Sequence, residues 1–279
     1  MDGNAAYDRS RDEPRVAASV ARAVDDLSEV RGPALSVDAG TGDQLKRAAW
    51  IACALCVFQT YFVVAAAIPA QRALTLSSSL DRLIPLVPAW AYVYGAIYSV
   101  AVVPLFIVRD ARVLRRVALG FMAINLLAGL VFLAFPTRME RPEWVGLPAG
   151  SFTQWSMGLI YALDPPVNCL PSLHVANAFY VGSVARSFDR RVGRFMFALA
   201  FLIAFSTLLV KQHYLLDVVS GALLGCGIAR LAIPRAGWSQ DTELPAWHSW
   251  LWIPGFYFLY FAFAAVAYLA GWRPGMGFL

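Results

Sequence analysis

The sequence predicts an all-α fold: a polytopic membrane helical bundle with six core helices and a seventh, C-terminal span. Hydrophobic residues make up 59% of the 279 positions and charged residues only 15%. The chain also contains several apolar windows of about 20 residues, the length that crosses a bilayer as a helix. Because such spans use most of the chain, we expect no separate soluble domain.

The predicted spans separate three regions. Residues 1–45 are polar, with nine acids and five arginines among the first 43, and we expect a disordered cytoplasmic tail. Residues 46–235 form the membrane-embedded bundle that carries the candidate chemistry, and residues 236–279 form a cytoplasmic loop and the last span. The seven spans are predicted near residues 48–70, 88–108, 116–136, 171–187, 193–211, 213–233 and 250–271.

Two of these spans have informative exceptions to their apolar character. The fourth contains His174, Asn177 and Ser183. Polar groups inside a span cost several kcal/mol and usually face a bundle interior or a cavity, so this span is expected to face inward. The sixth contains Gly221 and Gly225 in a GxxxG pattern, which predicts close helix packing behind the candidate site.

Basic residues are unevenly distributed between the two ends of the predicted bundle. Twelve lie on one side and six on the other, so the positive-inside rule places the N-terminus in the cytoplasm and the C-terminus outside. The 137–170 loop and the histidines described below then face the extracytoplasmic side. The sequence pI of about 9.2 fits contact with anionic lipid and requires no nucleic-acid partner.

The long outer loop is predicted to contain a helix at 151–163. Ser151 and Gln154 have capping-box spacing, and apolar residues recur on one face at Phe152, Trp155, Leu159 and Leu163. Asp164 and the two prolines after it would end the helix. The pattern fits a helix lying in the membrane interface, where it would meet a lipid, and equally a helix that packs on the bundle.

Two polar stretches, 168–174 and 206–217, contain two of the three histidines of the chain. His213 and Asp217 are four residues apart and therefore share a helical face, so the carboxylate can hold one ring nitrogen while the other attacks an electrophile. His174 supplies a second proton carrier. This is the set of groups that nucleophilic catalysis requires.

The start of the fourth span is a predicted anion site. Pro171 suits the first position of a helix, and the amides of Ser172, Leu173 and His174 would then point out of the helix N-terminus, where a phosphate is favoured by hydrogen bonds and by the helix dipole. The sequence shows no carboxylate cluster of the kind that holds a metal ion. We therefore predict no metal and no other cofactor.

These stretches resemble motifs of the type 2 phosphatidic acid phosphatase and haloperoxidase superfamily. PSLH at 171–174 is similar to its PSGH motif, and 206–217 keeps the spacing of its SRxxxxxHxxxD motif. Arg141 and Pro142 match the end of its KxxxxxxRP motif. The resemblance covers about residues 116–233 and implies a membrane-embedded, metal-independent phosphatase or phosphotransferase with a six-helix core.

The resemblance also implies roles for individual residues. His213 would attack phosphorus and form a phosphohistidine-type intermediate, Asp217 would fix its tautomer, and His174 would protonate the departing alkoxide. The remaining candidates would bind the phosphate and stabilise its charge, as is typical of phosphoryl transfer. They are Arg141, Lys211, Ser172, Arg138 and Ser206.

Three positions depart from the family pattern. Its lysine falls at Ala134, its arginine at Thr207 and its glycine at Leu173. Two phosphate-binding cations are therefore missing, and Lys211 and Arg138 are the candidates to replace them. The PSLH and HYxxD patterns are more similar to the branch that contains inositol phosphorylceramide synthases and sphingomyelin synthases.

The predicted function is therefore a lipid phosphotransferase that moves a phospho-headgroup from a phospholipid to a lipid alcohol such as ceramide or diacylglycerol. A phosphodiester carries one negative charge less than a monoester, which fits the missing cations. A lipid phosphate phosphatase using the same site is the alternative. A non-catalytic lipid carrier or a proton-coupled transporter is a more remote one, and it would place the polar residues at the membrane midplane rather than at one face.

Overall fold

The computed structural model describes residues 39–142, 150–234 and 236–272. Within these ranges, ten α-helices account for most of the regular structure. They are α1 (Ala39–Ala67), α2 (Ser79–Leu83), α3 (Ala91–Tyr94), α4 (Ala96–Ile107), α5 (Ala111–Ala134), α6 (Phe152–Leu163), α7 (Leu173–Phe188), α8 (Arg190–Leu209), α9 (Leu215–Ala232) and α10 (Trp252–Leu269). The predicted all-α fold is confirmed.

Six segments of the described chain are long and apolar enough to cross a membrane. They are Thr41–Ala67, Pro88–Ile107, Ala111–Ala134, Arg190–Leu209, Leu215–Ala232 and Trp247–Leu269. The protein is thus an integral, multi-pass membrane protein. The predicted tail falls mainly on residues outside the described ranges, as do Arg235 and Arg273 of the charge count; helix α1 already begins at Ala39.

The predicted fourth span corresponds to helix α7, which is not among these six segments and is shorter than each of them. It has 16 residues, or about 24 Å at the usual rise of an α-helix, less than the roughly 30 Å of a hydrocarbon core. The helix packs against α8, α9 and α5 and is buried along most of its length. Asn177 on this helix is 3% exposed, so the polar face points inward as predicted.

Helix α9 approaches α7 backbone to backbone. A Cβ atom added to Gly225 would lie 2.1 Å from the carbonyl oxygen of Ala176, and one added to Gly221 would lie 2.5 Å from that of Ser172. The Ser172 amide also donates a 3.0 Å hydrogen bond to the Asp217 carbonyl. The glycines therefore let the starts of the two helices meet, as the GxxxG pattern predicts.

Two short strands near these helix starts join segments that are distant in the sequence. Strands β1 (Leu74–Thr75) and β2 (Thr137–Arg138) pair in parallel.

Helix α6 lies where the helix at 151–163 was predicted. The Ser151 hydroxyl accepts the Gln154 amide, as in a capping box. The Gln154 side chain, however, accepts the Gly150 amide, so the capping box is not closed.

The surroundings of α6 distinguish the two interpretations of this helix. Trp155 and Leu159 pack on Ala264 of α10, whereas Met157 and Ile160 pack beside Tyr94. Leu163, predicted on the apolar face, is 47% exposed. Because two sides of α6 are covered, the structure favours a helix that packs on the bundle over one that presents a free apolar face.

Candidate active site

The two polar stretches meet at one end of the bundle. His174 is the second residue of α7, and His213 lies in the connection between α8 and α9. This connection is a tight reversal, because the Thr207 carbonyl accepts the amides of both Gln212 (2.9 Å) and His213 (3.3 Å), and Lys211 adopts a left-handed conformation with a φ of 54°. The reversal turns the His213 ring towards the start of α7.

The two imidazole rings are in direct contact. The Nδ1 atom of His174 lies 3.2 Å from the Nε2 atom of His213. His213 is 5% exposed and the side chain of His174 14% exposed. The two histidines predicted from sequence therefore meet through one ring nitrogen each, at hydrogen-bonding distance.

Asp217 lies on the other side of the His213 ring and is fully buried. Its Oδ2 atom is 3.5 Å from His213 Nδ1 and accepts the Tyr214 amide at 2.8 Å. The 3.5 Å separation is an ion-pair distance that is long for a hydrogen bond. Its Oδ1 atom has no hydrogen-bond partner among the described residues. The spacing of the histidine and the acid thus produces the expected pair.

His174 has a carboxylate neighbour that the sequence analysis missed. The Oδ2 atom of Asp164 lies 3.3 Å from His174 Nε2, and the Tyr94 hydroxyl lies 2.7 Å from the same nitrogen. Asp164 accepts hydrogen bonds from Tyr94 (2.6 Å) and from the Tyr61 hydroxyl. In the sequence, Asp164 was interpreted only as the end of helix α6.

The neighbours of Asp164 keep it ionised. Burial alone raises the pKa of its carboxyl, but the neighbouring His174 imidazole and the hydroxyl donors of Tyr61 and Tyr94 outweigh the burial and hold the pKa below its usual range. The two phenolic donors and the neighbouring imidazole therefore offset the free-energy cost of burying this carboxylate.

Arg141 connects this region to the loop before His213. Its guanidinium donates to the Tyr161 carbonyl (3.1 Å), the Asp164 carbonyl and the Gln212 side-chain oxygen (2.8 Å), and it stacks on the Tyr161 ring with its Cζ atom 4.1 Å from the ring centroid. Gln212 is buried, and its Nε2 atom has no hydrogen-bond partner in the part of the chain that the structure describes. Sequence reasoning did not identify Gln212.

Ser172 and Arg138 also lie near the helix starts. Ser172 is the N-cap of α7, and its hydroxyl accepts the Val175 amide. Pro171 therefore precedes the helix rather than opening it, and the Ser172 amide is used by the Asp217 carbonyl, so the predicted anion site loses that donor. Arg138 pairs through its backbone with Val167, and its buried Nε atom has no hydrogen-bond partner within residues 39–142, 150–234 and 236–272.

The other predicted phosphate contacts have described partners elsewhere. The Lys211 ammonium donates to the Ile84 carbonyl, and burial lowers its pKa although the nearby Asp81 carboxylate raises it. Ser206 donates to the Ile203 carbonyl one turn earlier in α8. Neither side chain is brought to the histidine pair by these contacts.

One group of described residues has donor atoms placed so that they could hold a metal ion. The ligand atoms of Cys169, His213 and Asp217 lie within 4.8 Å of one another. Thiolate, imidazole and carboxylate form a donor set that suits Zn²⁺. The thiol is not poised to ionise, because burial, followed by the charges of Asp217 and Asp164, raises the pKa of Cys169 well above its usual value.

Fold and site together define an integral membrane protein with a buried histidine pair flanked by carboxylates and an arginine. Comparison with known families agrees: residues 68–231 match the PAP2 superfamily, and the chain belongs to that superfamily.

A relative of similar sequence is an uncharacterized protein of Methanocaldococcus jannaschii. The two are 31% identical over 125 residues, which are 43% of this chain and 48% of the relative. The chain thus matches about half the length of that protein. No solved structure matches the chain significantly.

Proposed function

We propose that the protein is a lipid phosphotransferase that moves a phospho-headgroup between lipids through a phosphohistidine intermediate on His213. The observation that carries this proposal is the 3.2 Å contact between the facing nitrogens of His174 and His213, with Asp217 on the far side of the second ring. The proposed nucleophile therefore has the orienting carboxylate at one ring nitrogen and the proton carrier at the other.

In the proposed first step, His213 Nε2 attacks phosphorus, the bond from phosphorus to the alkoxide oxygen breaks, and His174 gives that oxygen a proton. In the second step, His174 takes the proton of the acceptor alcohol, whose oxygen displaces His213 from phosphorus. Asp217 stabilises the positive charge on the His213 ring in both steps. Arg141 is the proposed charge-stabilising group, with Arg138 as a second cation.

The transferase is favoured over the phosphatase by charge. Ala134 and Thr207 replace the two cations of the family motifs, and Lys211 is hydrogen-bonded to Ile84. A site with fewer cations suits a phosphodiester better than the more highly charged monoester. The similarity to inositol phosphorylceramide and sphingomyelin synthases supports ceramide or diacylglycerol as the acceptor. Water as acceptor would make the same site a lipid phosphate phosphatase.

The proposed site faces the extracytoplasmic side. The described histidine pair lies at one end of the bundle, where α7 begins, and the arginine-rich connections 109–116 and 186–194 lie at the opposite ends of their helices. This clustering at one end favours the enzyme over a proton-coupled transporter, which would need a chain of polar groups at the membrane midplane.

The test is to incubate detergent-purified protein with labelled phospholipid and labelled lipid phosphates, with and without ceramide or diacylglycerol. A new labelled phospholipid that depends on the acceptor supports the transferase, whereas free phosphate alone supports the phosphatase. His213→Ala should abolish both products. His248→Ala is the matched control, because His248 is the third histidine of the chain and is exposed. Full turnover by His213→Ala would refute the proposed nucleophile.

A further inference from the structure

We propose that Asp164 is a positioning residue for His174, acting directly and through the Tyr94 hydroxyl, so that each histidine of the pair has a carboxylate of its own. The inference rests on the proposed function, since it assigns the group that controls the proton carrier. It adds a second histidine and carboxylate pair to the one formed by His213 and Asp217.

The contacts form a continuous chain of hydrogen-bonding groups. His174 Nε2 lies 2.7 Å from the Tyr94 oxygen and 3.3 Å from Asp164 Oδ2, while Tyr94 and Asp164 are 2.6 Å apart. The Tyr61 hydroxyl donates a hydrogen bond to the second carboxylate oxygen of Asp164, and the Arg141 guanidinium donates one to the Asp164 backbone carbonyl. Tyr94 is 0% and Asp164 6% exposed, so little water competes for these bonds.

This chain fixes which nitrogen of His174 carries the proton. An ionised carboxylate only accepts hydrogen bonds, so the single hydroxyl proton of Tyr94 must lie on the bond to Asp164. The Tyr94 oxygen then accepts from His174, which places a proton on Nε2. The Nδ1 atom, which faces His213, is left as the nitrogen that takes up and delivers a proton in the reaction.

The free nitrogen of His174 is therefore the one that faces the proposed nucleophile. His174 directs Nε2 to Tyr94, so its Nδ1 atom lies 3.2 Å from His213 Nε2. In the proposed reaction, His174 Nδ1 is the atom that gives a proton to the alkoxide oxygen as its bond to phosphorus breaks, and that takes a proton from the acceptor alcohol in the second step.

A test that separates positioning from structure varies the leaving group. An alkyl phosphodiester needs a proton on its departing oxygen, whereas a p-nitrophenyl phosphodiester releases a stable phenolate. Asp164→Asn should lower the single-turnover rate of leaving-group release by about 100-fold for the alkyl ester and by less than about tenfold for the aryl ester, in keeping with the usual contribution of a general acid. Tyr94→Phe should show the same selectivity with a smaller loss.

The matched control is Tyr180→Phe, which removes a buried hydroxyl whose 2.9 Å bond goes to the Val117 carbonyl of α5. It should change turnover of the two esters equally. Equal losses on both esters in Asp164→Asn, or no loss on either, would overturn the positioning role.

A second measurement does not depend on turnover. The chain has only three histidines, so ¹⁵N spectra of the detergent-solubilised protein can resolve each ring, with His248 as an internal reference. The protonated nitrogen of His174 should be Nε2, and Asp164→Asn should move the His174 signals more than those of His213. If wild-type protein turns over neither ester, the proposed function fails. A proton on Nδ1 rather than Nε2 of His174 in wild type, or His174 signals that Asp164→Asn leaves unmoved, would separately refute this inference.

Discussion

The Nε2 atom of His213 lies 3.2 Å from the Nδ1 atom of His174, so the proposed nucleophile and the proposed acid are hydrogen-bonding neighbours. Phosphorus cannot reach His213 Nε2 along this line while the rings are in contact. Substrate binding must therefore separate the rings. The variants below test what holds each ring in place and what holds the helices that carry them.

Asp217→Asn should reduce kcat by about 10²–10⁴-fold with a much smaller change in KM, because the amide keeps the size of the carboxylate but removes the charge that stabilises the His213 imidazolium. Single-turnover assays with a labelled phospholipid measure the step directly. A rise in KM with unchanged kcat would show that Asp217 serves binding rather than chemistry.

Arg141→Lys should lower kcat by about 10²–10³-fold, the usual effect of losing one preorganised charge-stabilising donor. A lysine ammonium cannot replace a planar guanidinium that contacts Tyr161, Asp164 and Gln212 together. Arg72→Lys, at an exposed position, is the control and should retain wild-type rates. Wild-type kcat in Arg141→Lys would remove this residue from the proposed mechanism.

Excess chelator should leave turnover unchanged. An ion held by Cys169, His213 and Asp217 would occupy the carboxylate and the imidazole that the proposed mechanism uses, so metal binding there is expected to inhibit. Titration with Zn²⁺ followed by chelation checks both directions, and Cys169→Ser should weaken the inhibition. Loss of activity on chelation, restored by metal, would contradict metal independence.

Gly225→Ala should destabilise the protein by about 1–3 kcal/mol, the usual cost of overpacking, because its methyl group would meet the Ala176 carbonyl at 2.1 Å. Gly227→Ala is a matched control two residues along the same helix, where an added Cβ meets nothing within 4 Å. That variant should be neutral or slightly stabilised, since alanine is the better helix former. Thermal unfolding in detergent distinguishes the two, and equal melting temperatures would contradict the close helix contact.

Asp81→Asn should cost about 1–3 kcal/mol, since the carboxylate accepts the Leu215 amide at the start of α9 and the Ser78 amide, each at 2.8 Å. Burial raises the pKa of Asp81, but the hydrogen bonds from Ser78 and Leu215 and the charge of Lys211 outweigh it and lower the pKa.

A lowered folded-state pKa sets the sign of the pH dependence. Ionised Asp81 stabilises the protein above about pH 4, the ordinary pKa of an aspartate, and this contribution is lost as pH falls through the lower folded-state value. Unfolding of wild type and Asp81→Asn should therefore converge in acid. A constant difference between them down to pH 2 would contradict this account.

The sequence predicted the features of this protein that depend on local spacing. Apolar runs gave the spanning helices, the interval from His213 to Asp217 gave one pair, and Gly221 with Gly225 gave the close helix contact. Each of these signals lies within a few helical turns, where periodicity determines which side chains share a face.

The second carboxylate could not be found in this way. Asp164 and His174 belong to segments joined by a loop, and Tyr94 is 80 residues from His174, so only the packing of α3 beside α6 and α7 brings them together. Tyr94 also lies within an apolar span, where a tyrosine is ordinary, and Asp164 before two prolines is typical of a helix end. The contact of Gln212 was not predicted from the sequence, because its partner Arg141 lies 71 residues away.

The glycine contact between α7 and α9 has a consequence for how such a protein can diverge. The spacing of the two histidines is set by backbone atoms at Ser172, Ala176 and the facing glycines, while Val219 and Leu223 on α9 are 54% and 69% exposed. Exposed positions of this kind can change without moving the reacting nitrogens. Related proteins can therefore differ at such exposed positions, to suit different bilayers and lipid tails, while the spacing of the two histidines stays the same.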